Sequence, residues 1–180
     1  MSNPIIPRPC FVEHAALQLR VTHPRWAARV DKRIDRAIQL IKRGGVTIGD
    51  ELLTYCVRSA SDPNQTYRVK YSSHERTCTC PDYPTSHLCK HLLAVYLVIK
   101  ASSLECVFAQ ARHYYQALAN RNALAAKARA GVASERELAH LVFLHSAIEP
   151  LGRERFDLYR SVLDLAGLCT WRERVMRGDV

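Results

Sequence analysis

The sequence predicts an α+β protein in which a small ββα module lies between an N-terminal helix and a C-terminal all-helical region. Three observations carry this prediction. A helical period runs through residues 25–43, apolar and polar side chains alternate in two short runs within 51–73, and residues 85–149 contain no proline. On this basis the chain divides into an N-terminal segment (1–50), a central module (51–100) and a helical region (101–180).

The first predicted element is an amphipathic helix over residues 25–43. Pro24 suits the first turn of a helix, and Gly44-Gly45 suits its end. At about 100° per residue, apolar side chains share one face and cations gather on the opposite face. This basic face is the best candidate for contacts with nucleic-acid phosphates, although a solvated face of a packed helix would show the same pattern. The apolar face holds Trp26, Val30, Ile34, Ala37, Ile38 and Ile41, and the basic face holds Arg25, Arg29, Lys32, Arg36 and Arg43.

Alternation of apolar and polar residues predicts a β-hairpin of about residues 51–60 and 65–73. The Ser-Asp-Pro-Asn sequence at 61–64 is typical of the turn between two strands. Two tyrosines of the second run could stack on nucleobases, but the core of the hairpin is the favoured use. The alternating apolar residues are Leu53, Tyr55 and Val57 in the first run and Tyr67, Val69 and Tyr71 in the second.

The rest of the chain is predicted to be helical. Residues 89–100 have almost no polar side, which indicates a helix buried between the hairpin and other helices. Three Ser/Thr-x-x-Glu sequences fit capping boxes, which open helices. These boxes begin at Ser102, Ser134 and Thr170, and together with Pro150 and Gly152 they predict helices near 103–129, 135–148, 153–166 and 171–176.

The net charge of the 180 residues is +9, and the positive surplus lies mostly in the first 100 residues. Lys and Arg outnumber Asp and Glu by four in residues 1–57, by three in 58–100 and by two in 101–180. A basic surface favours polyanions such as nucleic acid, because it neutralises their phosphates. Charge alone supports a solvated basic surface equally well.

The cysteines and the apolar runs indicate an intracellular setting. The seven cysteines are odd in number and scattered, apart from three within 78–89, which does not suit a secreted disulfide framework. The longest wholly apolar run, residues 92–99, is far shorter than a membrane span, and residues 1–9 lack the apolar core of a signal peptide. We therefore expect a cytoplasmic protein (nuclear if the source is eukaryotic) with no membrane partner and no processed segment.

Residues 78–91 carry the strongest chemical signal, a C-x-C pair and a C-x-H pair separated by eight residues. Thiolates and imidazoles are preferred ligands of zinc, which takes four of them in a tetrahedron. Residues i and i+2 of a strand face the same side, so that Cys78 and Cys80 can share one ion. Cys89 should lie at or just before a helix start and His91 in its first turn, where free N–H groups offset thiolate charge. The sequence thus predicts a structural Zn²⁺ site.

Other interpretations of these four residues have weaker support than a structural zinc site. Buried cysteines with a core histidine would need no metal, but the surrounding sequence is polar and contains proline. A Cys89 nucleophile with a His91 base can be imagined, yet four ligands close the site, whereas a catalytic zinc keeps an open position. The sequence contains neither G-x-x-x-x-G-K nor H-E-x-x-H. We therefore expect no enzyme activity and no small-molecule substrate.

Two further residues of the segment have open roles. His87 lies two residues before Cys89 and could be an alternative ligand or a hydrogen-bond donor beside the metal, although loop solvation is favoured. Asp82 could accept a hydrogen bond from His91 or from loop amides, because a metal-bound histidine usually has such a partner.

The segment resembles the SWIM zinc finger, a family known from chromatin-remodelling ATPases and Mutator-type transposases among other hosts. CTCPDY at 78–83, CKHLLAVYL at 89–97 and the hairpin predicted before them carry the resemblance, which covers about residues 51–100. It implies a ββα zinc fold. It also implies a non-catalytic role in DNA binding or in protein–protein contacts, often as an accessory to recombination, transposition or DNA repair. The ligands it implies are Cys78, Cys80, Cys89 and His91.

These observations predict a zinc-finger protein that binds nucleic acid, DNA more than RNA, as an accessory factor in recombination, transposition, repair or defence. The alternative is a protein–protein interaction adaptor or a subunit of a larger nucleoprotein complex, without direct sequence-specific contact to nucleic acid. Residues 101–180 would then be the docking surface, since they are less basic and rich in Ala, Leu and Tyr.

Overall fold

The computed structural model describes residues 4–62, 64–148, 155 and 157–165, and it confirms the α+β class for them. By its contacts the chain forms two compact units, unit 1 (Met1–Glu105) and unit 2 (Cys106–Val180). Residues 157–165 are helical. The other elements are α1 (Pro9–Thr22), α2 (Pro24–Lys42), β1 (Val46–Ile48), β2 (Thr54–Arg58), β3 (Thr66–Tyr71), β4 (Arg76–Cys78), α3 (Tyr83–Ser86), α4 (Lys90–Arg129) and α5 (Glu135–Ile148).

Helices α1 and α2 of unit 1 form an antiparallel pair joined through His23. Arg20, near the end of α1, donates to Asp31 at 2.7 Å and to Asp35 at 2.8 Å on α2. The structure confirms α2 as the predicted amphipathic helix, with its apolar face buried except for a half-buried Trp26. The sequence pattern did not predict α1, because apolar residues such as Leu17 also occupy its exposed side.

The two glycines end α2 as predicted. Gly44 adopts a φ of +65°, a left-handed conformation that favours glycine, and its N–H donates to the Ile41 carbonyl. The N–H of Gly45 donates to the Leu40 carbonyl oxygen at 2.9 Å. A Cβ on Gly45 would lie only 2.9 Å from the same oxygen. The close turn lets the chain leave the helix directly into β1.

The sheet is antiparallel, with the order β1-β2-β3-β4. Strands β2 and β3 are the predicted hairpin, and β1 and β4 extend it on either side. Val69 lies opposite both Tyr55 on β2 and Cys78 on β4, so that Cys78 shares a row with a buried core valine. The prediction that Leu53 belongs to the first strand is wrong, because this residue is exposed and turns the chain with a φ of +59°.

Helix α4 corrects the prediction of two helices at 89–100 and 103–129, since it is continuous from Lys90 to Arg129. The predicted capping box at Ser102 therefore does not open a helix. Ser103 instead lies inside α4 and donates its hydroxyl to the Ile99 carbonyl at 3.0 Å. A serine hydroxyl satisfied in this way is compatible with a helix interior.

The first part of α4 supplies the core of unit 1, as its apolar sequence predicted. Leu93, Leu97 and Val98 are almost fully buried there. By length and composition alone α4 could cross a membrane, with a mean hydropathy of 1.8 over its most apolar 18-residue window, of which 39% is buried within the protein. Core helices of globular proteins also satisfy that criterion.

Unit 2 contains the rest of α4, α5 and the helical residues 157–165. The predicted capping box at Ser134 is confirmed, because its hydroxyl accepts from the Glu137 N–H while its own N–H donates to the Glu137 carboxylate at 2.9 Å. Tyr159 packs on Tyr114 with ring centroids 5.6 Å apart. The predicted helix at 171–176 lies outside the described residues.

Candidate metal centre

Two segments of unit 1 bring the four predicted ligands together. Cys78 is the last residue of β4 and Cys80 follows two residues later, whereas Cys89 directly precedes α4 and His91 is the second residue of that helix. All four are buried, with exposed fractions of 7%, 2%, 1% and 1% respectively. The three sulfurs and one ring nitrogen all lie within 4.8 Å of one another. They form a possible Cys3His metal-binding group.

The spacing of the ligand atoms fits a tetrahedral ion. Zinc bonds of about 2.3 Å to sulfur and about 2.0 Å to nitrogen separate neighbouring ligand atoms by roughly 3.5–3.8 Å. The Sγ of Cys78 lies 3.9 Å from the Nδ1 of His91. The other ring nitrogen of His91 is buried and has no hydrogen-bond partner among the described residues. A buried imidazole beside three sulfurs fits the role of a metal ligand.

Backbone N–H groups point at the sulfurs. The Leu92 amide, in the first turn of α4, donates to the Sγ of Cys89 at 3.4 Å. The backbone of Asp82 hydrogen-bonds Cys80, and that of Cys80 hydrogen-bonds Cys78. Such donors favour thiolate over thiol, because they stabilise the charged form. The N-terminus of α4 therefore supports the site in the way that the sequence predicted.

The sulfurs influence each other's protonation. A hydrogen bond from Cys78 lowers the pKa of Cys89 to about 4, with a further contribution from His91. The same contact, together with burial, raises the pKa of the Cys78 thiol. Burial and the contact with Cys89 raise the pKa of Cys80. A divalent ion at the centre of the three sulfurs would favour the loss of their protons.

The loop between the ligand pairs is organised by α3 and by contacts with its neighbours. The Tyr83 hydroxyl donates to the Arg76 carbonyl, which fixes the loop to β4. Lys90 lies 3.9 Å from the Asp82 carboxylate, across the ends of the loop. His87 ends α3 with a φ of +47°, is exposed, and packs edge-on against Tyr83. It is not a member of the metal-binding group, so its position agrees with the favoured solvated role.

Two residues that contact the site were not predicted as part of it. The guanidinium of Arg33 on α2 donates to the Leu88 carbonyl at 2.9 Å, one residue before Cys89. The ring of Tyr67 packs against that of His91, with centroids 4.6 Å apart and the planes tilted by 39°. The sequence feature that could have identified Arg33 is its position three residues after Val30. This spacing places a cation at the border of the apolar face of α2.

The predicted nucleic-acid contacts lie on α2 and at its end. All five cations of the basic face are exposed. Four residues of this part of α2, Arg29, Lys32, Arg33 and Arg36, help to line a shallow groove of about 560 Å³. The role of these cations in nucleic-acid binding stays a prediction.

A comparison with family models identifies the central part of the chain. Residues 67–100 match the model of the SWIM zinc finger. The chain carries a SWIM zinc finger. The matched segment comprises β3 from its second residue, β4, α3 and the start of α4, and it includes all four residues of the metal-binding group. The resemblance inferred from the sequence is therefore confirmed for this segment, and the family together with the Cys3His set indicates zinc as the metal. Searches of curated proteins and of solved structures found no match to the chain.

Proposed function

We propose that this SWIM zinc-finger protein binds nucleic acid, DNA in preference to RNA, as a non-catalytic accessory factor in recombination, transposition, repair or defence. Zn²⁺ held by Cys78, Cys80, Cys89 and His91 would be structural, because four protein ligands leave no open coordination position. It would join the end of β4 to the start of α4. The scattered, odd-numbered cysteines of the sequence suit a reducing compartment such as the cytoplasm or the nucleus.

The observation that carries this proposal is the uncompensated charge of α2. The acidic residues of that helix, Asp31 and Asp35, are both paired with Arg20 of α1. Among the described residues, no carboxylate lies within ion-pair distance of any cation of the basic face. Exposed cations without counter-charges attract polyanions, since binding releases the counterions of the phosphates. The cations in question are Arg25, Arg29, Lys32, Arg36 and Arg43.

The basic face is also fixed relative to the zinc finger. Arg33, on the same helix, bonds the Leu88 carbonyl beside Cys89. The apolar side of the helix is buried in the core of unit 1. A charged face on a firmly held helix suits contacts that position a protein on the phosphate backbone without specifying a sequence.

A salt series with labelled duplex DNA, single-stranded DNA and RNA tests the proposal. Each phosphate contact to a duplex contributes about −0.9 to the slope of log affinity against log salt. Five such contacts would give a slope of about −4.5, which is about 500-fold weaker binding on going from ~50 to ~200 mM salt. Replacing Arg29 and Arg36 together by alanine should make the slope shallower by about 2 units.

The matched control replaces Arg112 and Arg136 by alanine, which removes two exposed cations from α4 and α5 instead. This variant should keep the slope of the unmodified protein. Equal slopes for the two double variants would refute the basic face as the binding surface. No binding at low salt to any of the three nucleic acids would refute the proposed function.

The alternative function, a protein-interaction adaptor, is favoured by one feature of unit 2. Helix α5 exposes Leu138, Val142 and Phe143 to the extent of 43%, 70% and 66%. Leu138 and Val142, four residues apart, lie on one side of the helix, and Phe143 directly follows Val142. Exposed apolar residues grouped in this way are typical of interaction surfaces. The adaptor becomes the better hypothesis if nucleic-acid binding is absent.

A further inference from the structure

A cleft of about 710 Å³ opens on unit 1 beside the metal-binding loop. It is formed where the turn between α1 and α2 meets β3, β4 and the first turns of α4. His87 and Leu88, the two residues before the ligand Cys89, form part of its wall. Its volume is within the range of about 300–1,000 Å³ that is usual for sites that enclose a small ligand. Neither the basic face of α2 nor the metal-binding group uses this cleft.

Three aromatic side chains line the cleft, Trp26, Tyr71 and Tyr96. All three are half-buried, so that part of each ring faces solvent. Tyr71 and Tyr96 lie with their ring centroids 6.4 Å apart and tilted by 50°. Aromatic rings presented at an open cleft can stack on nucleobases of any sequence, since every base has a π-face.

Two cations accompany these rings. The guanidinium of Arg76 lies 5.2 Å from the centre of the Tyr71 ring, and the ammonium of Lys100 lies 6.0 Å from that of Tyr96. None of the residues that line the cleft is acidic. The nearest acidic neighbour in sequence, Glu75, is paired with Lys70 at 3.1 Å. The cleft therefore combines apolar stacking surfaces with unneutralised positive charge.

We propose that this cleft binds the base of an unpaired nucleotide, with Arg76 in the cleft wall and Lys100 beside Tyr96 attracting the neighbouring phosphates. The inference rests on the proposed nucleic-acid function and names the form of nucleic acid that the protein prefers. An apolar protein segment would fit the rings but would gain nothing from the two cations. A base inside a duplex is stacked on its neighbours, so that only an unpaired or extruded base can offer its face to the cleft.

Binding of bulged duplexes to the zinc-loaded full chain tests the proposal. One DNA duplex carries a single bulged adenosine, a second carries an abasic residue at the same place, and a third has no bulge; RNA versions form a parallel set. The protein carries Trp171→Phe, which leaves Trp26 as its only tryptophan. We expect the adenosine bulge to bind about tenfold more tightly than the abasic bulge and to quench the fluorescence of Trp26, as stacking on one base requires.

Substitutions at Tyr71 test whether the preference for the adenosine bulge arises in the cleft. Tyr71→Leu should abolish the preference for the adenosine bulge, and Tyr71→Phe should retain it because the ring is kept. The matched control is Tyr55→Leu, which removes a half-buried tyrosine of β2 that does not line the cleft. If Tyr71→Leu does not fold, the exposed Arg76→Gln substitution replaces it. That variant should make the salt slope for single-stranded DNA shallower by about 0.7 units.

The outcomes separate this inference from the proposed function. Equal affinity for the adenosine and abasic bulges, or a preference that survives Tyr71→Leu, would overturn the cleft as a base-binding site. If the unbulged duplex still binds with a steep salt dependence, the proposed function stands without the cleft. Quenching of Trp26 by an apolar peptide, with no response to the adenosine bulge, would assign the cleft to a protein partner instead. Failure to bind any nucleic acid at low salt would overturn both.

Discussion

Replacing Arg33 by methionine tests whether α2 holds the metal-binding loop in place. The Nη1 of Arg33 donates to the Leu88 carbonyl oxygen at 2.9 Å in a partly buried position. Methionine keeps an unbranched apolar stem that can pack on the same surface, but it removes the donor. The Leu88 carbonyl, one residue before Cys89, then loses this donor.

The expected loss follows from this one contact. Hydrogen bonds that involve a charged group contribute about 1.5–3 kcal/mol to stability. The bond is only partly buried, which favours the lower end of that range, about 1.5 kcal/mol. For a domain of about 100 residues, each kcal/mol shifts the melting temperature by roughly 4–8 °C. The variant should therefore melt about 9 °C lower than the unmodified protein.

Thermal unfolding of the zinc-loaded protein, followed by circular dichroism, measures this shift. Transfer of zinc to a chromophoric chelator measures the affinity of the protein for zinc. We expect this affinity to fall about tenfold, which corresponds to a loss of about 1.4 kcal/mol in binding free energy. The matched control is Lys32→Met, because Lys32 is the exposed neighbour of Arg33 on the same helix. Equal melting temperatures and equal zinc transfer for the two variants would refute a stabilising role of the Arg33 contact.

Two further predictions concern the metal and the start of α5. Cys89→Ser should reduce bound zinc well below one ion per chain and sharply lower the melting temperature, whereas Cys56→Ser, outside the site, should change neither; metal analysis of the purified proteins decides this. Hydrogen bonds from Lys127 and Ser134 lower the pKa of Glu137 from 4.5 to about 2. The stability that Glu137 contributes is thus fully present above about pH 4.5 and is lost as the pH falls through about 2. Glu137→Gln should remove this part of the acid sensitivity of unit 2, and an unchanged acid titration of the variant would contradict it.

The metal-binding group could be predicted from the sequence because its geometry is local. The C-x-C pair follows from the strand period, and the C-x-H pair follows from the start of a helix. The continuous apolar sequence from Leu92 onward then marks that helix as buried. Each step needs only neighbouring residues, so that no knowledge of the tertiary fold was required.

Features that depend on contacts between distant segments could not be predicted in this way. Arg33 and Leu88 are 55 residues apart, and the pairing of Tyr67 with His91 depends on the packing of β3 against α4. Strand β1 has three residues, too few to show a period. The continuity of α4 was missed because Ser-x-x-Glu at residues 102–105 predicts a helix start. Serines are also compatible with a helix interior, as the bond from the Ser103 hydroxyl to the Ile99 carbonyl shows.

These distant contacts connect the metal-binding group to α2 as well as to β4 and α4. Two ligands lie at or just beyond the end of β4, and two lie at the start of α4, with the loop that contacts Arg33 between them. Removal of the ion would leave three buried sulfurs and a histidine ring without the central charge that holds the two ligand pairs together. Relaxation of the loop would then loosen its contact with α2, the helix that carries the basic face. Zinc would thus act on nucleic-acid binding through the orientation of a neighbouring helix, without any contact of its own with the phosphates.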